Sequence, residues 1–165
     1  MTLAEAAARA DELARAGDER SLAALRAEWE EEIEAAARHG DYRVRAQAYR
    51  AIAQFRFRQK LELLRRGLED ESPAVRGSAL IALEGLSRER PGDVNLFRAL
   101  LHELGARDSN PAVRRLALVC LRNGPYVRDT VQLLEGIAED ERSDPDLRRT
   151  ARSVAAELQR KSRTK

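Results

Sequence analysis

Apolar residues return every three or four positions along this chain and never alternate with polar ones over the length of a strand, which is the pattern of amphipathic helices. After Val75 the apolar ladder continues through Ala79, Ala82, Leu83 and Leu86. After Val113 it runs through Leu116, Ala117, Cys120 and Leu121, and after Leu147 through Ala151, Val154, Ala155 and Leu158. A further ladder is Val44, Ala48, Ala51, Ile52 and Phe55. Between the ladders lie shorter stripes: Leu61, Leu64 and Leu68; Leu96, Leu100, Leu101 and Leu104; Val131, Leu134 and Ile137. The pattern predicts a leading helix over 2–16 and four helix pairs: 20–38 with 41–56, 58–71 with 72–87, 93–108 with 110–123, and 127–141 with 144–161. Gly17, Gly40, Gly92, Gly105 and Gly124 fall between the ladders, where they are read as helix ends and turns.

Each ladder opens on one short phrase. It reads Tyr42-Arg43-Val44-Arg45, Ser72-Pro73-Ala74-Val75-Arg76, Asn110-Pro111-Ala112-Val113-Arg114 and Asp144-Pro145-Asp146-Leu147-Arg148. A residue able to cap is followed by proline at the first helical position, where its missing amide proton costs nothing. The first copy departs from this, with Asp41 and Tyr42 in place of the polar residue and proline. The apolar residue of the phrase stands at 44, 75, 113 and 147, a repeat of 31, 38 and 34 residues that signals a solenoid of helix pairs. Such pairs bury one face against the partner and another against the next pair, so neighbours stabilise each other.

Composition fits an all-helical chain, with 4% aromatic and 35% charged residues in 165. No apolar stretch approaches the ~20 residues needed to span a bilayer. The first residues lack the apolar centre of a secretion signal, and they carry acidic residues that a mitochondrial presequence avoids. A cytoplasmic location is therefore expected, with no membrane association. The single Cys120 has no intrachain disulfide partner and sits on a ladder, which suits a reducing compartment. The alanine-rich first helix is expected to cap the stack, and Arg160, Lys161, Ser162, Arg163, Thr164 and Lys165 to form a fraying basic tail.

The phrase of proline, valine and arginine opening every second helix resembles the short bacterial HEAT-like repeats of the HEAT repeat family, over about residues 20–160. The resemblance implies a right-handed α-solenoid of about four helix pairs plus an N-terminal capping helix, in one domain over 1–165. It also implies that the first helices form the convex surface and the second helices line the concave one. The arginine after the valine would join a ladder with an acidic residue of a neighbouring turn. The ladder arginines are then Arg45, Arg76, Arg114 and Arg148, with Asp41, Asp70, Asp108 and Asp144 as candidate partners.

Charge is separated between the two sets of helices although the net value is only +2. Counting Arg and Lys against Asp and Glu, the second helices carry +3, 0, +3 and +2, and the first helices −2, 0, −1 and −4. With the family geometry, the inner surface is basic and draws in an acidic partner in a salt-dependent way. The residues left facing it after the ladders are buried are Tyr49, Arg50, Ile81, Arg115, Leu118, Arg122, Arg149 and Arg152. Arginine suits this role because its planar fork grips carboxylate or phosphate.

The expected function is thus a non-catalytic scaffold or adaptor that engages an acidic or amphipathic segment of a protein partner. The alternative is recognition of the nucleic-acid backbone by the same face, as in HEAT-like DNA-repair proteins. Several features weigh against that alternative: 27 of the 30 basic residues are arginine, a bias that genome composition also produces; Glu84 interrupts the basic path; and the only indole, Trp29, stands on an acidic first helix. Chemistry finds no foothold. His39 and His102 are far apart with no ligand spacing, no phosphate loop or nucleophile elbow is present, and Glu28 to Glu34 read as a solvated face. No cofactor and no metal are expected, and the oligomeric state is left open.

Overall fold

The computed structural model describes residues 1–164, and every regular element among them is helical. In chain order these are α1 (Leu3–Ala16), α2 (Glu19–Ala37), α3 (Tyr42–Gln54), a 3-10 turn (Arg58–Lys60) leading into α4 (Leu61–Leu68), α5 (Pro73–Glu89), α6 (Asp93–Arg107), α7 (Pro111–Arg122), α8 (Arg128–Glu139) and α9 (Pro145–Arg163). The expected helices are all present, with ends displaced by a few residues. Contacts cluster into two compact units, Met1–Ala82 and Leu83–Lys165, divided inside α5. A repeat array whose helices touch only near neighbours divides in this way.

In the first unit α1 packs on both α2 and α3 through Leu3, Ala6, Ala7, Ala10 and Leu13. It starts in a reciprocal cap: Thr2 Oγ1 accepts from the Glu5 amide at 3.2 Å, and the Thr2 amide donates to Glu5 Oε2 at 2.7 Å. It stops at Gly17, whose φ of 73° lies in the left-handed region. The turn from α3 to α4 is anchored from both sides. Arg26 of α2 donates to the Phe55 carbonyl at 2.7 Å, and Arg56, at φ 50°, donates to Asp11 of α1 at 2.9 Å. Lys60 then ties the start of α4 to α2 through Glu30 at 2.7 Å and Glu34 at 2.5 Å.

In the second unit α6 pairs with α7 and α8 with α9, while α7 lies against α9 and α6 against α8. The last helix is also tied to α7, because Lys161 Nζ donates to the carbonyls of Arg122 at 2.5 Å and Gly124 at 2.9 Å. Residues 160–163 are therefore helical, where a fraying tail was expected: a cation at the carboxyl end of α7 satisfies carbonyls that the helix leaves open. Lys165 lies outside the described residues. Between α6 and α8, His102 Nε2 meets Thr130 Oγ1 at 2.8 Å, and Thr130 is buried.

The junctions inside the last three pairs turn on an aspartate: Asp70, Asp108 and Asp140 each accept, through Oδ1, the amide two residues on, at 2.9, 2.9 and 3.0 Å. In the first pair His39 Nδ1 accepts from the Asp41 amide at 2.9 Å, and Asp41 caps α3 by accepting from the Arg43 amide at 2.9 Å. These turns break the helix and redirect the chain. For this reason α4 ends at Leu68, short of the expected 71. The phrase arginine then reaches back to the carbonyls at the end of the first helix or in the turn after it. Arg45 donates to His39 and Gly40, Arg76 to Asp70 and Glu71, Arg114 to Gly105, and Arg148 to Ala138, at 2.9–3.1 Å. Arg45 in addition grips Asp70 with two parallel bonds of 2.9 and 3.0 Å, linking the first pair to the turn of the second.

Two expected contact residues are core residues instead. Tyr49 and Leu118 are both 0% exposed, and each presses on a glycine of a first helix. A Cβ on Gly67 would stand 2.8 Å from the Tyr49 ring, and one on Gly105 2.7 Å from Leu118 Cδ2. Gly105, expected in a turn, thus lies within α6 because Leu118 needs its missing side chain. Leu96, expected in the buried stripe, is 57% exposed, and Phe97 takes its place in the core. Val44 is only half-buried, in keeping with the weakest copy of the phrase.

Three outcomes follow from these contacts. Gly67→Ala should lower stability, since overpacking against a rigid ring costs about 1–3 kcal/mol, more than the up to ~1 kcal/mol gained in helix propensity; urea titration reads the difference. Asp70→Asn should cost about 1–3 kcal/mol by leaving Arg45 with only the exposed Glu71 carboxylate at 3.9 Å in place of its buried charged acceptor, measured the same way, whereas Asp41→Asn retains a capping oxygen and costs little. Burial, with Arg98 adding and Asp129 opposing, holds His102 below its ordinary value. The unfolded chain then binds the proton more readily, so stability is full above the unfolded pKa of about 6.5 and falls as the pH drops through it. Melting between about pH 7 and about pH 5 should show that loss, reduced in His102→Gln.

Candidate basic face of the second helices

Register within the repeat decides which side chains share a face. The position two residues after the phrase's apolar residue is Ala46, Gly77, Arg115 and Arg149; the position six after it is Arg50, Ile81, Val119 and Ser153; the position nine after it is Ala53, Glu84, Arg122 and Ala156. These positions lie on one side of a helix, offset from the buried ladder. In α7 they give Arg115, Val119 and Arg122, and in the adjacent α9 they give Arg149, Ser153 and Ala156. Arg115, Arg122 and Arg149 are exposed, and Val119 is half-buried between the two of α7.

The environments of these arginines differ. Arg115 makes no hydrogen bond or ion pair among the described residues, so its fork is open. Arg122 has a 4.0 Å approach to Glu84 as its ion pair, and Arg149 is held by Asp146 one turn earlier. Arg152 is exposed but leans away from the others, toward the Ala138 carbonyl that Arg148 also caps, at 3.4 Å. It stands at the register position of the buried Leu118, not at that of Arg115. In the first unit Arg50 is exposed on α3 and Ile81 is 52% exposed on α5. Within the second unit alone, α7 and α9 over the expected spans carry +3 and +2, whereas α6 and α8 carry −1 and −4.

Sequence reasoning passed over two residues of this face, Val119, which offers apolar surface between two arginines, and Arg88 of α5, which pairs with Glu84; Glu84 itself, read from the sequence as interrupting the basic path, stands near Arg122. The signal was present in the register, since Glu84 and Arg122 hold the same position in successive copies. A separate open groove in the first unit is lined by Arg38, His39, Arg66, Glu69 and the Arg45–Asp70 pair. Its opposite charges are mixed, and Arg45 and Asp70 are already bonded to each other.

Nucleophilic and metal chemistry have no seat among these residues. Cys120 is buried and its thiol is pushed far up by that burial, which keeps it protonated and inert. Among the described residues no group of three His, Cys, Asp or Glu side chains stands close enough to hold a metal ion, and no helix is long and apolar enough to cross a membrane. Trp29 is buried in α2 and unavailable for stacking on a base.

Residues 30–104 match the family model for HEAT repeats. No curated protein and no solved structure matches the chain. The matched stretch takes in α3, α4 and α5 with most of α6, and the same phrase, turn and pairing continue through α7, α8 and α9. Residues 30–104 are therefore identified as HEAT repeats.

Proposed function

We propose that this protein is a binding scaffold whose second helices present an arginine face to an acidic segment of a protein partner. HEAT repeats serve generally as scaffolds for protein interaction. The observation that carries the reading is the open fork of Arg115 on the same face as Arg122 and Arg149, with Val119 between. An exposed arginine without a partner forms new charge-assisted bonds at less cost than one that must first break an ion pair. Electrostatic attraction speeds encounter, and burial of a few apolar atoms such as those of Val119 holds the complex. Tyr49 and Leu118 have no part in it.

The partner is a polypeptide rather than a nucleic acid. The exposed cations of this face, Arg115, Arg122 and Arg149, are few and set among Ser153, Ala156 and Val119, which suits carboxylates spaced along a peptide better than a continuous row of phosphates. A triple change, R115E/R122E/R149E, should abolish capture of an acidic peptide while helicity and melting stay as in the native chain. Binding that survives the triple change removes this face from consideration. Duplex DNA titrated at low salt should bind more weakly than the peptide, and the reverse order would transfer the face to nucleic acid.

A further inference from the structure

The face just described contains one carboxylate of its own. Glu84 of α5 occupies the register position that Arg122 occupies in α7, and its side chain is only 18% exposed. Its Oε2 meets Arg88 Nε at 3.2 Å, and its Oε1 stands 4.0 Å from Arg122 NH2. Asn123 Nδ2 reaches the same Oε1 at 3.5 Å while donating to the Glu84 carbonyl and to Ser87 Oγ, both at 3.0 Å. Ser87 is fully buried and donates to the Glu84 carbonyl at 3.1 Å. Most of what holds this segment to α7 thus runs through the backbone of Glu84 and through Ser87, and little of it through the carboxylate.

The carboxylate is therefore free to serve another end. We infer that Glu84 is an internal competitor: its carboxylate occupies the space between Arg88 and Arg122 that an acidic side chain of the partner takes, and so sets the threshold for binding. This rests on the reading of the α7 and α9 face as a site for acidic polypeptide. Both arginine side chains are exposed, at 66% and 45%, so their outer N–H groups can donate to an incoming carboxylate. An arriving acid is repelled by Glu84 and must share arginines with it. The cost falls on every anion that offers only charge, and a partner with further contacts to Arg115 and Val119 overcomes it. A like charge placed against unwanted ligands is how binding faces gain selectivity.

Glu84→Gln tests the idea in the full-length chain, because glutamine retains the oxygen near Asn123 and removes only the charge. With a short poly-L-glutamate peptide as probe, fluorescence anisotropy at low salt should show E84Q binding roughly two- to fivefold tighter than the native chain, the scale of one partly exposed ion pair. The gain should vanish when Arg122 is also neutralised, so that E84Q/R122Q binds like R122Q. Glu84→Asp, which keeps the charge but draws it back toward α5, should tighten binding less, and it serves as the second variant if E84Q melts early. Unchanged or weaker binding by folded E84Q overturns the competitor role alone, provided R115E/R122E/R149E still loses the peptide. A native chain that does not bind poly-L-glutamate at low salt overturns the competitor role together with the binding face itself.

Discussion

The end of every first helix leaves carbonyls without partners at the place where the chain must turn back, and the second helix answers them with an arginine. Arg45, Arg76, Arg114 and Arg148 stand one residue after the apolar anchor of their ladders and reach back to carbonyls at the close of the first helix or in the turn after it. The same side chain thereby settles the register between the two helices, since an arginine one residue earlier or later would miss the carbonyls and bring the wrong face to the core. An aspartate turn just ahead of the second helix completes the joint. These bonds matter because a buried unpaired carbonyl costs about as much as a typical hydrogen bond contributes.

With the joint in place, packing selects which positions remain outside. Tyr49, five residues beyond Val44, and Leu118, five beyond Val113, press on first-helix glycines and are enclosed, while Arg152 at the same position of α9 is exposed. In the second unit the free strip of α7 and α9 is formed by the positions two, six and nine after the anchor, and there the chain has placed arginine, valine, serine and alanine. Function is accordingly confined to a narrow set of side chains, and one acidic residue within that set has a disproportionate effect on its field.

Polar groups inside the units serve mainly to tie helix to helix. Lys60 bridges α4 to two glutamates of α2, Arg56 holds α1 from a strained turn, Lys161 closes the end of α7, and His102 joins α6 to α8 through Thr130. Two of these links, Lys60 and His102, join helices that otherwise touch little, α2 with α4 and α6 with α8.

Helix number, pairing, repeat length and the HEAT-like character were legible in the sequence alone, because apolar periodicity, proline at the first helical turn and capping residues act over a few neighbouring positions. The four phrase arginines were legible for the same reason. Tertiary structure alone decided which flank of each second helix is covered. Periodicity marks the centre of a buried face but not its edges, so Tyr49 and Leu118 looked as available as Arg50 and Arg115. It also decided which charges are already engaged: Arg149 with Asp146, Arg152 with the Ala138 carbonyl, Arg122 near Glu84, and Arg115 with none among the described residues. Those pairings depend on distances across helices, where a single rotamer separates a bonded guanidinium from an open one, and no local pattern along the chain carries that information.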